Sequence, residues 1–380
     1  MTSDLAHYPL SELVIERPKS TIKVRDSSET GPVPFYTSGI KIARHTESLC
    51  SGENIYVATG GKANFQFLAG PAAYSTDTYV VTGTDQIETK YLYYFLTSQT
   101  DYIDEHLFRG AALRHLSRPE FKALQVPLPS LSEQQRIVHL LDEALEGISV
   151  AKANAEKNLQ NGRALFESHL QAIFTQDASD WGSRKLSDLV EVQNGYAFSS
   201  KEYSDSGHFL MRIGNVQDGF ITTSDPKYVK LSPNDSLQRF NLTSGDILIS
   251  LTGNVGRVGV IKEEHLPAAL NQRVARITFR KDSPALSGWV LHFLLSILFR
   301  SILDGLGHGT AQKNVSTNDL VNILIPVPDK ARQKAFVHVL DELRDSTRSL
   351  EAIHMSKLKA LDGLKHSLLC QAFSGKRRAA

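Results

Sequence analysis

Few residues of this chain could carry catalytic chemistry, and no familiar catalytic pattern is complete. The segment GNVGRVG at 253–259 has glycines three apart, as a phosphate loop can have, but strand-like residues flank it and no helix N-terminus follows to hold an anion. GGKA at 60–63 lacks the hydroxyl residue that follows the lysine of a P-loop. The sequence also lacks zinc-spaced Cys/His pairs and a G-x-S-x-G motif. We therefore expect a glycine-rich turn at 253–259 rather than a nucleotide site.

Basic and amide side chains instead gather in glycine-punctuated loops. They lie in FRGAALRHLSR (108–118), NVGR, NQRVAR and GHGTAQKNVS (307–316), and comprise Arg109, Arg114, Arg118, Arg257, Asn271, Gln272, Arg273, Arg276, His308, Gln312, Lys313 and Asn314. Such side chains suit phosphates and base edges in the major groove of DNA. Any one of them alone could merely solvate a loop. A basic, glycine-led loop that recurs at 108–118 and 307–316 favours DNA binding.

The bulk composition is that of an ordinary globular protein. Its 380 residues are 41% hydrophobic and 22% charged, with a net charge of +1, so no global basic field points to nucleic acid. Two distant cysteines, Cys50 and Cys370, suit a reducing compartment. The N-terminus has no apolar signal-peptide core, and the most apolar run, VLHFLLSILF at 290–299, is too short to cross a bilayer. These features predict a cytoplasmic chain of two or three domains with no membrane contact.

The elements that must position these loops occur twice. VPLPSLSEQQRIVHLLDE at 126–143 returns 199 residues later as IPVPDKARQKAFVHVLDE at 325–342, with eight of eighteen positions identical. The match runs without insertion from Tyr91/Val290 to Phe174/Phe373, and LSELV (10–14) answers LSDLV (186–190). Thr59-Gly60 likewise answers Thr252-Gly253. The chain is therefore a tandem duplication in which a mixed α/β globular part leads into a long helix.

Each helix has a start signal and an apolar stripe. Ser130 with Glu133 forms a capping box, and Asp329 stands at the second cap. A lone amphipathic rod must bury its stripe, so we expect the two helices to pack antiparallel on one another, with the domains related by a pseudo-two-fold axis. The residues expected in this packing are Ile137, Leu141, Ile148, Phe336, Leu340 and Leu343, and the second stripe continues through Leu350, Ile353, Leu358, Leu361, Leu364 and Leu368. His139 and His338 have apolar neighbours, and we expect them to be structural.

These motifs resemble the specificity subunit of type I restriction–modification systems. The resemblance rests on the doubled exit strand and helix start, on the helix ends LFESHLQAIF (165–174) and LLCQAFSGK (368–376), and on LSELV, LSDLV, ISLTGNVGRVGVI and GTAQKNVS. It covers essentially the whole chain. The sequence departs from the pattern where Arg332 and Lys334 replace Glu133 and Gln135 of the first copy, and where GAALRHLS lacks a glutamine.

The resemblance implies target-recognition domains at 1–129 and 179–328, a spacer helix at 130–178, and a second helix with a basic tail at 329–380. Each domain would recognise one half of a split, asymmetric target in double-stranded DNA. The chain would have no catalytic activity and no cofactor. Its helices would pack with two methyltransferase subunits, which bind S-adenosylmethionine and methylate adenine, and a motor–nuclease subunit can join for cleavage.

Two other classes of protein make different predictions. A methyltransferase would need a glycine-rich strand–turn–helix and an N-P-P-[YF]-like motif, and neither occurs in the sequence. A structural adaptor that binds proteins through its repeated domains would show no salt-dependent association with DNA.

Overall fold

The computed structural model describes residues 5–175, 181–232, 236–306 and 314–373. Its contacts divide the chain into two compact units. Unit 1 comprises Met1–Glu156 with His354–Ala380, and unit 2 comprises Lys157–Ile353. This division cuts both long helices, so the four-segment domain scheme stays a prediction.

Unit 1 is a mixed α/β unit. Its helices are α1 (Leu10–Leu13), α2 (Thr89–Ser98), α3 (Thr100–His106), α4 (Arg118–Lys122) and the first part of α5 (Leu131–Thr175). Its strands are β1 (His7–Pro9), β2 (Val14–Glu16), β3 (Val33–Tyr36), β4 (Ala43–His45), β5 (Glu53–Ala58), β6 (Phe65–Ala69), β7 (Ala73–Tyr74), β8 (Thr78–Gly83), β9 (Phe108–Arg109), β10 (His115–Leu116) and β11 (Gln125–Pro127).

Unit 2 repeats this order with additional strands. Its strands are β12 (Ser183–Lys185), β13 (Val190–Asn194), β14 (Tyr203–Ser204), β15 (His208–Met211), β16 (Val216–Gln217), β17 (Phe220–Ile221), β18 (Tyr228–Val229), β19 (Asn241–Leu242), β20 (Ile247–Ser250), β21 (Val258–Val260), β22 (Ala268–Leu270), β23 (Val274–Phe279) and β24 (Leu324–Pro326). Its helices are α6 (Leu186–Leu189), α7 (Ser287–Leu295), α8 (Ile297–Leu306), α9 (Thr317–Val321) and the first part of α10 (Lys330–Phe373).

The four-stranded sheets of the two units have the same topology, and the second sheet has three strands in unit 1 and five in unit 2. An antiparallel sheet runs β2-β8-β5-β6 in unit 1 and β13-β23-β20-β21 in unit 2. A second sheet contains a parallel pair in each case, β3 with β7 and β15 with β22. The first strand of each unit pairs with its exit strand, β1 with β11 and β12 with β24. The duplication seen in the sequence is therefore a duplication of fold.

The short motifs LSELV and LSDLV form the one-turn helices α1 and α6. Leu10 and Leu13 of α1 and their counterparts Leu186 and Leu189 of α6 are fully buried. They anchor the start of each unit in the core formed by its four-stranded sheet and its following helix. Burial of four leucines in matching places explains why the motif is kept in both copies.

The apolar run at 290–299 is mostly buried, and it bends. Helix α7 ends at Leu295 and α8 begins at Ile297, because the Ser296 hydroxyl donates to the Phe293 carbonyl and accepts from the Phe299 amide. Among the described residues, no single helix is long and apolar enough to cross a membrane. Only α7 and α8 together, bent by 65°, meet that length and composition test.

The long helices begin where the sequence places their caps. Ser130 Oγ accepts from the Glu133 amide at 3.4 Å, and Asp329 Oδ1 accepts from the amides of Ala331 and Arg332 at 3.0 Å. Within unit 1, α5 and α10 run antiparallel, because Leu141 clusters with Leu369 and Lys152 bonds Asp362 at 2.6 Å. Within unit 2 they do the same, with Arg163 bonded to Glu351 at 2.5 Å.

The stripe predicted for the second helix is partly wrong. Leu350, Ile353 and Leu364 are 48%, 60% and 48% exposed, whereas Thr347 is buried. The buried positions of α10 recur with the helical repeat, which places Thr347 two turns after Leu340 on the same face. The polar Thr347 is therefore buried, while the nearby Leu350 and Ile353 face solvent. Of the six packing residues named from sequence, Leu141, Ile148 and Leu340 are buried, and Ile137, Phe336 and Leu343 are half-buried.

Candidate nucleic-acid interface

In unit 1, the basic loop 108–118 is tied to the Thr-Gly turn after β5. The Gly61 amide donates to the Arg114 carbonyl at 2.8 Å, and the Leu116 amide donates to the Thr59 carbonyl at 3.0 Å. Thr59 also donates its hydroxyl to the carbonyl of Asp77, at 2.7 Å. Three segments, 59–61, 75–77 and 114–116, therefore meet at one edge of the unit.

Unit 2 brings together the corresponding three segments. The Leu251 amide donates to the Arg273 carbonyl at 2.9 Å, and the Val315 amide donates to the Leu251 carbonyl at 3.0 Å. Thr252 forms an isolated bridge with Asn314. The loop 251–257, the turn 271–273 and the segment 314–315 thus form one surface, which contains Arg257, Asn271, Gln272, Arg273 and Asn314 of the predicted site. His308, Gln312 and Lys313 lie outside the described residues.

The turn before the central strand differs sharply between the units. Strand β8 begins at Thr78 and β23 at Val274, so Ser75-Thr76-Asp77 (the unit 1 turn) stands where unit 2 has Asn271-Gln272-Arg273 (the unit 2 turn). The pattern of basic and amide residues marks only the unit 2 turn. Alignment of the strands TYVVTG and VARITF would have identified the unit 1 turn as its counterpart.

Gln272 and Arg273 are exposed at the tip of the unit 2 turn. Arg273 has φ of 74°, in the left-handed region that glycine adopts more readily. The backbone at Gly195 packs tightly beneath the turn, since a Cβ on Gly195 would lie 2.1 Å from the Asn271 carbonyl oxygen. The scaffold therefore holds an arginine in a conformation that a glycine would adopt with less strain.

A cleft of about 490 Å³ lies beside the unit 2 turn. Aromatic and polar residues line it together, including Phe198, Tyr203, Arg212, Asp225 and Asn271. Arg212 Nη2 bonds Asp225 Oδ2 at 2.9 Å, and this contact, with that of Lys227, lowers the pKa of Asp225. Asn271 is 7% exposed, and within the described part of the chain its Oδ1 has no hydrogen-bond partner. The cleft thus offers a hydrogen-bond acceptor and aromatic walls next to Gln272 and Arg273.

Protein contacts fix the direction of Arg257. Its Nη1 donates to Gln217 Oε1 at 3.0 Å, and its backbone amide donates to Ser250 Oγ at 3.0 Å. When the Asn254 side-chain amide is oriented with its oxygen towards Arg257, Oδ1 accepts from Nη1 and Nη2 of Arg257 at 3.3 and 3.1 Å. Arg257 is therefore oriented before any ligand arrives.

Arg276 lies apart from this surface, on β23. Its side chain is 17% exposed; Nη1 lies 3.4 Å from Asp246 Oδ2 and donates to the Asn241 carbonyl at 2.8 Å, while Nη2 donates to Gln193 Oε1. These contacts give Arg276 a structural role, since a buried cation needs such partners. A DNA contact from Arg276 stays a prediction.

The three arginines of loop 108–118 also have protein partners. Arg109 bonds Glu120 at 3.2 Å, Arg114 bonds Asp104 at 3.0 Å, and the Arg118 guanidinium lies 4.8 Å from the centre of the Tyr79 ring. The Ala63 amide, followed by Arg114, lowers the pKa of Asp104. The loop therefore presents oriented, partly neutralised cations, and their contact with DNA stays a prediction.

The identical residues of the repeat include a buried glutamine whose role the sequence did not reveal. Gln134 Oε1 accepts from the Glu88 amide at 2.8 Å, and its Nε2 donates to the carbonyls of Gln86 and Pro129. Gln333 makes the same three bonds, to the Leu286 amide at 2.7 Å and to the carbonyls of Pro284 and Pro328. Both side chains are fully buried. Each glutamine clamps the start of a long helix to the helix of the preceding globular part.

Other identities have structural explanations too. Asp142 bonds Lys90 at 2.7 Å and accepts from the Tyr94 hydroxyl, and Asp341 bonds the buried His292 at 3.0 Å. Burial lowers the pKa of His292 to about 4, with the nearby Arg344 as a second cause.

Two pairs of identities point outward. His139 and His338 are 73% and 74% exposed, so they do not lie on the packed face of the helices, and the structural role expected for them stays a prediction. Each lies beside the glutamate one turn later, Glu143 at 3.7 Å and Glu342 at 3.5 Å. The apolar side chains next to them, Leu140 and Val339, are 50% and 54% exposed. Each helix therefore displays the same small patch, which we call the outward patch: His139, Leu140 and Glu143 on α5, and His338, Val339 and Glu342 on α10.

The described residues contain no group of three or more His, Cys, Asp or Glu side chains that could hold a metal ion. The two edges consist of backbone-tied loops that carry amides and cations, with a hydroxyl and acidic turn in unit 1.

Comparison with known proteins agrees with this assignment. The family model for the type I restriction modification DNA specificity domain matches residues 3–159 and 178–359. The MjaVIII type I restriction enzyme specificity subunit of Methanocaldococcus jannaschii is 27% identical over 76% of this chain and 70% of its own length. The EcoBI specificity subunit of Escherichia coli is 23% identical over 78% of this chain and 67% of its own length.

Solved structures share the fold. A chain from a study of complex assembly and conformational transition of the type I R-M system has a TM-score of 0.73 at 18% identity, over 98% of both chains. The HsdS subunit from Thermoanaerobacter tengcongensis has a TM-score of 0.52 at 18% identity, over 97% of this chain and 96% of that one.

Proposed function

We propose, since this chain belongs to the type I restriction modification DNA specificity family, that it selects a DNA target of two different halves, one recognised by each unit. One observation carries the proposal. The four-stranded sheets of the two units have the same strand order, and both units have the same three-segment edge, yet the equivalent turn differs in chemistry, Ser-Thr-Asp in unit 1 and Asn-Gln-Arg in unit 2. A repeated scaffold with different side chains at its tip suits two readers of different sequences.

The turn chemistry suggests what each half contains. Glutamine pairs well with adenine and arginine with guanine, so the exposed Gln272 and Arg273 of the unit 2 turn favour purines presented in the major groove. An aspartate accepts from the exocyclic amine of cytosine and repels phosphate, so the unit 1 turn favours a cytosine. Nearby cations of each edge would contact phosphates and fix the register.

The catalytic step belongs to partner subunits in this proposal. This chain has no activity and no cofactor of its own; methyltransferase subunits supply S-adenosylmethionine, and a motor–nuclease subunit joins for cleavage. The outward patch appears once on each helix with the same His and Glu and an apolar residue between them. Exposed identities have no packing reason to persist through a duplication, and two equivalent patches suit two copies of one methyltransferase subunit. A DNA-recognition role also places the chain in the cytoplasm.

Binding measurements across salt concentrations test the proposal. The complex of this chain with its methyltransferase partner should bind a cognate duplex at least about 10³-fold more tightly than a scrambled duplex. Its affinity for DNA should fall steeply as the salt concentration rises. A protein-binding adaptor would show equal, weak association with both duplexes. Methyl transfer by the isolated chain, with S-adenosylmethionine and no partner, would contradict the non-catalytic role.

A further inference from the structure

Unit 2 contains a small hairpin, β16–β17, which contacts the loop 251–257 on one side and the long helix α10 on the other. The hairpin turns at Asp218-Gly219, where Gly219 has φ of 86°. Its stem packs on β20–β21, and the Gly219 amide donates to the Val258 carbonyl at 2.8 Å. A Cβ on Gly259 would lie 2.6 Å from Ile221 Cδ1, so the two hairpins are in close contact. We call β16–β17 the tip hairpin.

The stem of the tip hairpin holds Arg257. Gln217 accepts from Arg257 Nη1 through Oε1 at 3.0 Å and donates through Nε2 to the Gly214 carbonyl at 2.8 Å. Because both ends of the Gln217 amide are occupied, its orientation is fixed. The tip hairpin therefore supplies, beside Asn254, a side-chain contact that orients the Arg257 guanidinium.

The turn of the tip hairpin is fixed by two helices. Arg348 of α10 donates through Nη2 to the Gly219 carbonyl, and Arg300 of α8 bonds Asp218 at 3.2 Å. Burial lowers the pKa of Arg348, with the neighbouring Arg344 as a second cause.

We propose that Arg348 is a positioning residue for DNA recognition by unit 2, acting through the tip hairpin on Arg257. The proposal rests on the proposed function and extends it to a residue outside the three-segment edge. Arg348 holds the turn, the turn holds the stem, and Gln217 of the stem orients the Arg257 guanidinium. Among the described residues of unit 1, β3 leads through β4 to β5 with no such hairpin, so this device acts on one half of the target only.

The test uses the full chain in complex with its methyltransferase partner. Competition binding would compare the cognate duplex with duplexes altered in one half only. We expect Arg257→Met to lower discrimination in the unit 2 half about tenfold and to leave the other half unchanged. Arg348→Met should lower the same discrimination about three- to tenfold, and Arg348→Lys should retain most of it. The double variant should lose no more than Arg257→Met alone, because both act on one contact.

Two controls separate this role from a general structural one. Arg332→Met removes an exposed arginine from the first turn of the same helix and should change neither half. Asp218→Asn breaks the bond to Arg300 at the other side of the turn and should reproduce the Arg348→Met loss, even where Arg348→Met impairs folding. If Arg257→Met acts and Arg348→Met and Asp218→Asn do not, or if their losses multiply in double variants, the proposal is wrong. If no variant or duplex shows discrimination at all, the proposed function itself fails.

Discussion

Replacement of the buried clamp glutamines by alanine should destabilise each unit strongly. Gln134 and Gln333 are fully buried and make three hydrogen bonds each. A typical net contribution is about 1 kcal/mol per bond, and backbone groups left unsatisfied in a buried place cost more. Gln134→Ala and Gln333→Ala should therefore each lower the free energy of unfolding by roughly 3 kcal/mol.

The neighbouring positions provide matched controls. Gln135 is exposed and makes one bond, to Glu88 Oε1 at 2.8 Å, and Lys334 is its exposed counterpart in the second copy. Gln135→Ala and Lys334→Ala should change the free energy of unfolding by about 0.5 kcal/mol or less.

Urea denaturation gives the measurement, because both tryptophans of the chain, Trp181 and Trp289, lie in unit 2. Gln333→Ala should lower the midpoint of the tryptophan fluorescence transition by about 1–3 M, from a loss of roughly 3 kcal/mol and a slope of about 1–3 kcal/mol per M. Hydrogen exchange of the Glu88 amide should report Gln134→Ala in the same way. If alanine at 134 and 333 is no more costly than alanine at 135 and 334, the clamp does not hold the helix starts.

Three further outcomes follow from the same contacts. The pKa of His292 is lowered from 6.5 to about 4 in the folded chain, so the unfolded chain binds a proton at this residue at higher pH than the folded chain does. The urea midpoint of unit 2 should therefore fall as pH drops from about 6.5 towards 4. His292→Gln should flatten that dependence. A fragment of residues 1–178 should be a dimer by sedimentation, more so at high salt, because Leu170 and Phe174 can take the places of their repeat counterparts Leu369 and Phe373. In the full chain, Leu369 packs on Leu141, and Phe373 packs on Tyr91 and Phe95. Leu141→Asp with Ile148→Asp should leave the fragment monomeric or insoluble, and a soluble monomer of the unmutated fragment would count against helix packing. Gln272→Ala or Arg273→Ala should cost about 1–3 kcal/mol of binding in the unit 2 half alone, measured by competition with half-altered duplexes, and a loss in both halves would refute separate readers.

The repeat allowed much of the architecture to be predicted from sequence. A duplication keeps the residues that the fold needs, so LSELV, the helix caps and the first apolar stripe all appear where the pattern placed them. The same logic does not place His139 and His338, because identity between copies does not distinguish burial from exposed function. Val138 and Leu140, the apolar neighbours of His139, lie on different sides of the helix. Only the position of each residue around the helix axis decides which side faces inward.

The recognition edge was predicted less completely, because side-chain type does not fix side-chain direction. Arg276 alternates with its neighbours along β23 and points into the protein, although it is as basic as Arg273. The unit 1 turn has acidic and hydroxyl residues that do not resemble a DNA-binding sequence, and only its register before β8 marks it as the counterpart of the unit 2 turn. Gln134 was invisible for a related reason, since its partners are backbone groups that no motif records.

Methylation mapping tests the central claim most directly. DNA from cells that express this chain with its methyltransferase partner would be sequenced at single-molecule resolution. We expect methylated adenines in one asymmetric sequence of two specified parts separated by an unspecified gap. Asp77→Asn should relax only one part and Arg273→Ala only the other. A contiguous or palindromic motif, or a change in both parts from either substitution, would contradict recognition of two half-sites by two separate units.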